Sequence, residues 1–258
     1  MAMRKLLFIP FILLFIKLSG QITYTSLNAH SHNDYEQKTP FFLAYNAHFG
    51  SIEADIWDVN GQLLVAHSKD EIKAERSLDA LYIQPIVTKF RENKGKAWSN
   101  QEGSFQLLID LKTTYQKTLP LLAKQLQKYP EVFDPAVNPQ AVKVVITGNT
   151  PPPTEFGNYP RFLFYDGKLF QKYNATQRAQ VAMFSDDLGR HTSWNGEGNM
   201  PPADARKLQA VIDSVHALPC KIRFWGAPDT PQAWKQFQKM QVDFINTDHI
   251  QQLADFLK

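Results

Sequence analysis

Asn28-Ala-His-Ser-His-Asn-Asp-Tyr35, then Ser51-Ile-Glu-Ala-Asp-Ile-Trp57, then Leu63-Leu-Val-Ala-His67: these three stretches decide the fold. Each reads as a strand that runs into polar, ionisable residues near its C-terminal end. Side chains two apart on a strand point the same way. Glu53 and Asp55 therefore share a face, Ile52, Ala54 and Ile56 take the other, and Val65 pairs with His67. Two imidazoles (His30 and His32) at one strand end, paired carboxylates on the next strand and a third imidazole soon after suggest a divalent-metal site with acid–base groups beside it. The alternative places these residues on ordinary surface loops, where most charged side chains and many histidines sit. The apolar residues on the opposite faces argue against it.

The same order of apolar run, polar turn and helical pattern recurs along the chain. Strands are expected over 25–30, 51–57, 105–111, 142–147, 161–165, 180–184, 221–225 and 242–246, with an extra one at 63–67. Helices are expected over 40–48, 78–92, 115–128, 203–217, 231–239 and 250–257, several with Pro in the first turn. Eight strands with intervening helices predict an α/β protein, a TIM-type (β/α)8 barrel in a single domain spanning residues 21–258. The weakest link is 167–179, where the helical pattern is poor. An open doubly wound sheet is the alternative, but no Gly-rich dinucleotide turn is present.

In such a barrel the polar strand ends share one mouth, where the chemistry of this fold resides. Strand one contributes His30 and His32, strand two Glu53 and Asp55, and strand three Asp110 and Lys112. Strand seven ends in Trp225 and strand eight in Asn246-Thr-Asp248. Leu107, Ile109 and Leu111 would pack under the helices, turning Leu108, Asp110 and Lys112 inward. A charged pair on an interior face is expensive unless it has partners. A purely structural ion pair is the other reading of Asp110 and Lys112.

Three carboxylates a few ångströms apart cannot all stay ionised, and a divalent cation removes the conflict. Oxygen ligands favour one hard ion, Ca²⁺ or Mg²⁺, over zinc. Such an ion neutralises a phosphoryl oxygen, and two imidazoles supply base and acid. Lys112 adds charge for an anionic transition state. The set points to cleavage of a phosphodiester.

The residues also carry a resemblance. His-Asn-Asp-Tyr, Glu-Ala-Asp with Trp57 close behind, His67 twelve residues after Asp55, and Ile-Asp-Leu-Lys resemble the superfamily of phosphatidylinositol-specific phospholipase C and glycerophosphodiester phosphodiesterase. Within it, Ser31–Tyr35 and Ser51–Trp57 are most similar to the branch that includes the altered inheritance of mitochondria protein 6 family. The likeness is strong over residues 28–112 and thin beyond, resting on Phe224-Trp225-Gly226 and Asn246-Thr-Asp248. It implies a TIM barrel with a first catalytic histidine at His30 or His32 and a second at His67. Metal carboxylates are implied at Glu53, Asp55 and Asp110, with Lys112 matching a following Lys. Asn33 matches an Asn that helps hold calcium in phospholipases of this type. Glycerophosphodiesterases follow the first His with a phosphate-binding Arg, and here Ser31 stands there if His30 is the match. Their Pro-Glu-Asn-Thr segment is absent, and Asp110 is one methylene shorter than their Glu.

Other classes fit less well. The His30-Ser-His32 pair also resembles the opening of metal-dependent amidohydrolases, but the middle strands end in Thr147, Asp166 and Ser185-Asp-Asp187, with no His. A degenerate barrel that binds a phosphorylated or sugar ligand without turnover is the non-enzyme alternative. His48, His191, His216 and His249 have no partner at suggestive spacing, so solvated or capping roles are expected. Asp248 is expected to cap the last helix. Trp225 either stacks on a substrate headgroup or fills the barrel mouth. The loops 151–156 and 193–202 are expected to flank that mouth.

Residues 1–20 read as an export signal: a basic start with Arg4 and Lys5, an apolar run from Leu6 to Ile16, then Lys17-Leu-Ser-Gly20. A periplasmic or secreted protein is expected. The formal charge of +3 comes from 28 basic against 25 acidic residues, and Arg4, Lys5 and Lys17 account for all of it. The remaining chain is neutral on paper and has no basic tract interleaved with aromatics, which argues against nucleic acid. The expected partner is a small-molecule or lipid-headgroup phosphodiester, met by a monomer with at most transient membrane contact. Cys220 is the single cysteine, so no internal disulfide forms, and a buried thiol is expected.

Overall fold

Strands β1 (Ala29–Ser31) and β2 (Ser51–Val59) run parallel, with His30 beside Ser51 and Ser31 beside Ile52. The computed structural model describes residues Ile22–Lys258, and the export signal expected over residues 1–20 lies outside them. Asn60 and Gly61, at φ 52° and 84°, turn the chain from β2 into antiparallel β3 (Gln62–Val65). An Asn-Gly pair enters that left-handed backbone at little cost. This hairpin is the extra strand, and it lies off the ring.

The ring continues through β4 (Gln106–Leu111), β5 (Lys143–Gly148), β6 (Leu163–Gly167), β7 (Val181–Asp187), β8 (Lys221–Trp225) and β9 (Ile245–Thr247). Its order is β8-β7-β6-β5-β4-β2-β1-β9, all parallel. The two ends meet at one parallel bridge, Arg223 with Phe244, where the Phe244 N–H donates to the Ile222 carbonyl at 3.2 Å. Eight strands thus form a nearly closed barrel.

The helices are α1 (Phe42–Asn46), α2 (Gln84–Glu92), α3 (Tyr115–Leu126), α4 (Pro130–Phe133), α5 (Ala175–Arg178), α6 (Pro202–His216), α7 (Pro231–Met240) and α8 (Ile250–Phe256). Three segments depart from the periodicity for local reasons. Thr25 and Asn28 cap each other around a 3-10 turn over Ser26–Asn28, so the first strand starts only at Ala29. Phe41 sits at φ 64°, its N–H held by the buried Asp34 carboxylate at 2.5 Å, which shortens the helix expected over 40–48 to α1. The helix expected over 78–92 opens as a wide π turn over Asp79–Ile83 before becoming α2. The poor pattern at 167–179 gives only the four residues of α5, so a loop rather than a helix follows β6.

Strand alternation divides the apolar residues. Ile52, Ala54, Ile56, Leu107, Ile109 and Leu111 are buried between barrel and helices. Leu108, Val145, Met183 and Phe244 form a separate plug inside the barrel. At the N-terminal end of the strands, Lys143 and Lys221 lie over the Phe164 and Phe244 rings at 5.1 and 4.5 Å. The plug closes the lower interior, so the polar inward positions above it form the floor of the opposite mouth.

Leu107 is fully buried on the outer face of a central strand. Leu107→Ala is expected to lower unfolding free energy by about 2–5 kcal/mol, the range for a large-to-small core change, without altering the barrel. Denaturant titration with far-UV circular dichroism measures it.

Candidate active site

The β2–β4 register places Glu53 beside Leu108 and Asp55 beside Asp110, so Asp55 and Asp110 are neighbours at the strand ends. Glu53, Asp55 and Asp110 each offer a ligand atom, and these atoms all lie within 4.8 Å of one another. Lys112, two residues beyond Asp110 on the same face, puts Nζ 2.9 Å from Oδ2 of Asp55 and 2.9 Å from Oδ2 of Asp110. Burial disfavours the Lys112 charge, but Asp110 and Asp55 outweigh it and raise its pKa.

Gly148 makes room for this arrangement. At φ +72°, a Cβ there would lie 2.0 Å from Asp110 Oδ1. Only a residue without a side chain fits, because the β5 strand end crosses directly over that carboxylate.

The three carboxylates differ. Burial would raise Glu53, but Arg223 and then His30 outweigh it and hold Glu53 well below the usual carboxylate range. Arg223 Nη1 donates to Glu53 Oε2 at 2.9 Å, and His30 Nε2 lies 2.7 Å from the same oxygen. Asp55 goes the other way. Burial, then the charges of Glu53 and Asp110, push it up to about 6 against the pull of Lys112. Asp55 Oδ1 is buried without a hydrogen-bond partner. An orphaned carboxylate oxygen amid two more carboxylates is the donor set that a hard cation satisfies. Glu53, Asp55 and Asp110 fit that role, and Glu53 Oε1 remains for it because Oε2 is committed to Arg223 and His30.

The first two histidines have different surroundings. His30 is fully buried. Gln106 Nε2 donates to Ser51 Oγ (3.0 Å), which lies 2.7 Å from His30 Nδ1. Assigning the His30 proton to Nε2, facing Glu53, satisfies every member of this chain. Burial, followed by Arg223, pushes His30 down to about 3, and Arg223 also packs against its Nε2. Both ring nitrogens are therefore engaged. His32 has a partly exposed side chain, with Nδ1 2.8 Å from Asp248 Oδ1. Burial lowers its pKa, but the bond to Asp248 and the charges of Glu53 and Asp248 more than offset this, and the net shift is upward.

His67 reaches the centre by way of the hairpin. Trp57 Nε1 donates to the Ala66 carbonyl at 2.9 Å, and Ala66 N–H donates to the Asp55 carbonyl at 3.3 Å. That fixes His67 Nδ1 3.2 Å from the Tyr35 hydroxyl and 3.7 Å from Asp55 Oδ2, with its side chain half exposed. Tyr35 Oη lies 2.8 Å from Asp55 Oδ2 and 2.9 Å from Asn33 Oδ1, and its single proton serves one of them. Burial and the Asp55 charge keep it protonated. Asn33, at φ 44°, is thus joined to Asp55 through this hydroxyl. Trp225 is 39 % exposed at the mouth, two residues beyond Arg223.

Several side chains escaped the sequence. Arg223 alternates with Lys221 and Trp225 on an apolar strand, the same two-residue spacing that singled out Asp110 and Lys112, so its inward direction was readable. Asp248 does not cap α8; it binds His32, and the residue at the cap position is His249. His191 is not solvated: it is buried with Nε2 2.9 Å from Asp186. His216 pairs with Asp243 at 2.8 Å, and Cys220 is half-buried rather than fully enclosed.

Residues 18–166 match the AIM6-like phosphodiesterase domain, and residues 221–251 match the Glycerophosphoryl diester phosphodiesterase family. "Altered inheritance of mitochondria protein 6" of Lachancea thermotolerans is 29% identical over 275 residues, covering 87% of this chain and 64% of that protein. The Eremothecium gossypii protein of the same name is 28% identical over 274 residues, covering 88% and 68%. The chain therefore spans only about 64% of the length of the first of these relatives. A glycerophosphodiester phosphodiesterase structure from Parabacteroides distasonis superposes with a TM-score of 0.52 at 11% identity, covering 89% of this chain and 96% of that one. That likeness shows the barrel fold alone.

Asp55 generates a signed prediction. Its folded pKa of about 6 exceeds the ordinary 3.8, so its contribution to cation-free stability is present at low pH and lost as pH rises through 6. In chelator near pH 7.5, Asp55→Asn is expected to exceed wild type in stability by about 1–3 kcal/mol, and the gap closes near pH 4. Added Ca²⁺ or Mg²⁺ is expected to raise the melting temperature of wild type and not of the variant. Equal cation responses in thermal melts of the two proteins would remove Asp55 from the ligand set.

Proposed function

The chain belongs to the family of AIM6-like phosphodiesterase domains, and from that premise we propose that it is a cation-dependent phosphodiesterase acting on glycerophosphodiester- or phosphoinositide-like substrates. The observation that carries the reading is the convergence of Glu53, Asp55 and Asp110 within 4.8 Å, with Lys112 bridging two of them. Glu53, Asp55 and Asp110 would hold a Ca²⁺ or Mg²⁺ ion, which would supply positive charge to offset a phosphoryl oxygen.

The chain's own residues do the rest. His32 and His67 are the acid–base pair, because each has Nδ1 engaged by the protein and Nε2 left for a substrate proton. Asp248 orients His32 and stabilises its protonated form, while Tyr35 orients His67. One imidazole takes a proton from the attacking hydroxyl and the other gives one to the leaving oxygen. His30, with both nitrogens engaged, instead anchors Glu53. Lys112 stays cationic and offsets charge that develops on the phosphoryl oxygens. Attack by water gives hydrolysis, whereas attack by a hydroxyl of the substrate itself gives a cyclic phosphate. The order of basic, apolar and polar residues over 1–20 supports an exported protein, which we take to be a monomer that meets membranes only transiently.

Release of p-nitrophenol from bis-(p-nitrophenyl) phosphate, and of alcohols from glycerophosphodiesters, is expected to require divalent cation. His32→Ala and His67→Ala are each expected to lower kcat by about 10²- to 10⁴-fold. Product analysis on lipid and glycerophosphodiester mixtures separates the two routes of attack. No turnover by wild type across a broad diester panel with cation present would leave a binding barrel instead. Zinc in the purified protein, with turnover of amides or lactones, would favour an amidohydrolase.

A further inference from the structure

Arg223 spans the barrel interior. From β8 its Nη1 donates to Glu53 Oε2 on β2 at 2.9 Å and packs against His30 on β1. The residue is 4 % exposed, so its charge depends on the carboxylates that it meets inside the protein. A guanidinium carries five N–H donors. Among the described residues this one bonds through Nη1 alone, and Nε is buried without a partner.

A second carboxylate lies within reach of that charge. Asp166, on β6, is 9 % exposed, and its Oδ2 accepts from Thr147 Oγ1 at 3.0 Å and from Ser185 Oγ. Its Oδ1 is buried without a partner. Ser185 stands between the two residues, on β7, where it is the register neighbour of Arg223. Burial pushes Asp166 up to about 6, and the Arg223 charge opposes this more than either hydroxyl does. Asp166 is therefore mainly ionised at neutral pH. Other acids at the strand ends have partners of their own. Asp186 meets Arg190 at 3.1 Å and His191 at 2.9 Å, Asp55 and Asp110 share Lys112, and Asp248 meets His32.

A buried donor on a cation and a buried acceptor on an anion are thus left over on inward faces one strand apart. Joining them would take the guanidinium off Glu53, whose buried charge needs it. Commitment of Glu53 to a divalent cation removes that need. A guanidinium that stayed on Oε2 would then stand close to two more positive charges, in an interior where repulsion is weakly screened. Asp166 is the carboxylate left to receive it.

We propose that Arg223 has two positions, on Glu53 as seen here and on Asp166 when Glu53 is committed to a divalent cation, which makes Asp166 a positioning residue for the cation centre. The inference rests on the cation site of the phosphodiesterase reading and not on the diester chemistry.

Calorimetric titration of the full chain with Ca²⁺ or Mg²⁺, after treatment with chelator, reads the coupling. Asp166→Asn is expected to raise the Kd for the cation about fivefold or more, because the displaced guanidinium then has no carboxylate to meet. In an Arg223→Gln background the same substitution is expected to change Kd by less than about twofold. An unchanged Kd in Asp166→Asn overturns the proposal. So does an equal loss in both backgrounds, which would mean that Asp166 acts on the cation directly through space. Crystal structures of wild type grown in chelator and in Ca²⁺ test the movement without a variant, which matters if Arg223→Gln does not fold. In the Ca²⁺ form alone, Arg223 is expected to lie within hydrogen-bond distance of Asp166 Oδ1, about 2.7–3.2 Å. A guanidinium on Glu53 in both forms overturns the proposal and leaves the cation centre standing. Absence of Ca²⁺ and Mg²⁺ uptake by wild type sinks the cation reading and this inference with it.

Discussion

Three carboxylates held within 4.8 Å at the inner end of a barrel set the terms for everything around them. Removing like charges from water together is costly, and the protein meets the cost unequally. Glu53 is compensated by Arg223 and His30, which share its Oε2. Asp55 and Asp110 share the one Lys112 ammonium, and Asp55 keeps an orphaned oxygen. The result is one firmly ionised carboxylate beside one whose pKa has climbed to about 6. That incomplete compensation separates this cluster from a finished structural salt bridge. A buried carboxylate oxygen without a partner is uncommon, and here it faces two further carboxylates. The Gly148 turn adds to the same point, since the strand end leaves space for Asp110 rather than for a side chain of its own.

Most of the fold and half of the site were legible because both depend on a period of two. In 51–57 and 107–112 the apolar residues fall on one parity and the ionisable ones on the other, which a strand converts directly into inside and outside. The eight strands followed from the same alternation. The convergence of Glu53, Asp55 and Asp110 needed only the assumption that those strands were adjacent. What stayed hidden depends on pairings that no local pattern encodes. Arg223 meets Glu53 across 170 residues, and Asp248 meets His32 across 216. Asp248 looked like a helix cap because the motif before Ile250 satisfies the local rule. The tertiary partner won because His32 lies next to it once β1 and β9 pair. The start of the first helix was misplaced because the Asp34 carboxylate, seven residues back, fixes an unusual backbone at Phe41.

The position of His32 also depends on a residue outside the strands. Asp229, in the loop after β8, accepts from Trp234 Nε1 (2.8 Å), Thr247 Oγ1 (2.9 Å) and the Asp248 N–H (2.7 Å). One carboxylate therefore ties the start of α7 to the end of β9, close to the seam where the barrel closes. The seam itself has a single bridge. With so little ladder there, the register of β9 against β8, and with it the direction of the Asp248 carboxylate, relies on side-chain bonds. Barrel closure and orientation of His32 are in this sense one problem with one set of contacts.

The mouth is divided by charge. β1, β2, β4 and β8, with the residues just past their ends, carry His30, His32, the three carboxylates, Lys112 and Arg223, and the β3 hairpin brings in His67, whereas β5, β6 and β7 carry Thr147, Asp166, Ser185 and Asp186. On the first side the carboxylates meet Lys112, Arg223 and imidazoles, with Asp55 Oδ1 left over; on the second, two hydroxyls are turned toward the recessed Asp166, and Asp186 pairs with Arg190 and His191. The division also accounts for the missing histidines on the middle strands, the feature that set this chain apart from metal-dependent amidohydrolases at the level of sequence. Those strands end in Thr147, Asp166 and Ser185 to Asp187, and the only metal-competent cluster among the described residues lies on β2 and β4.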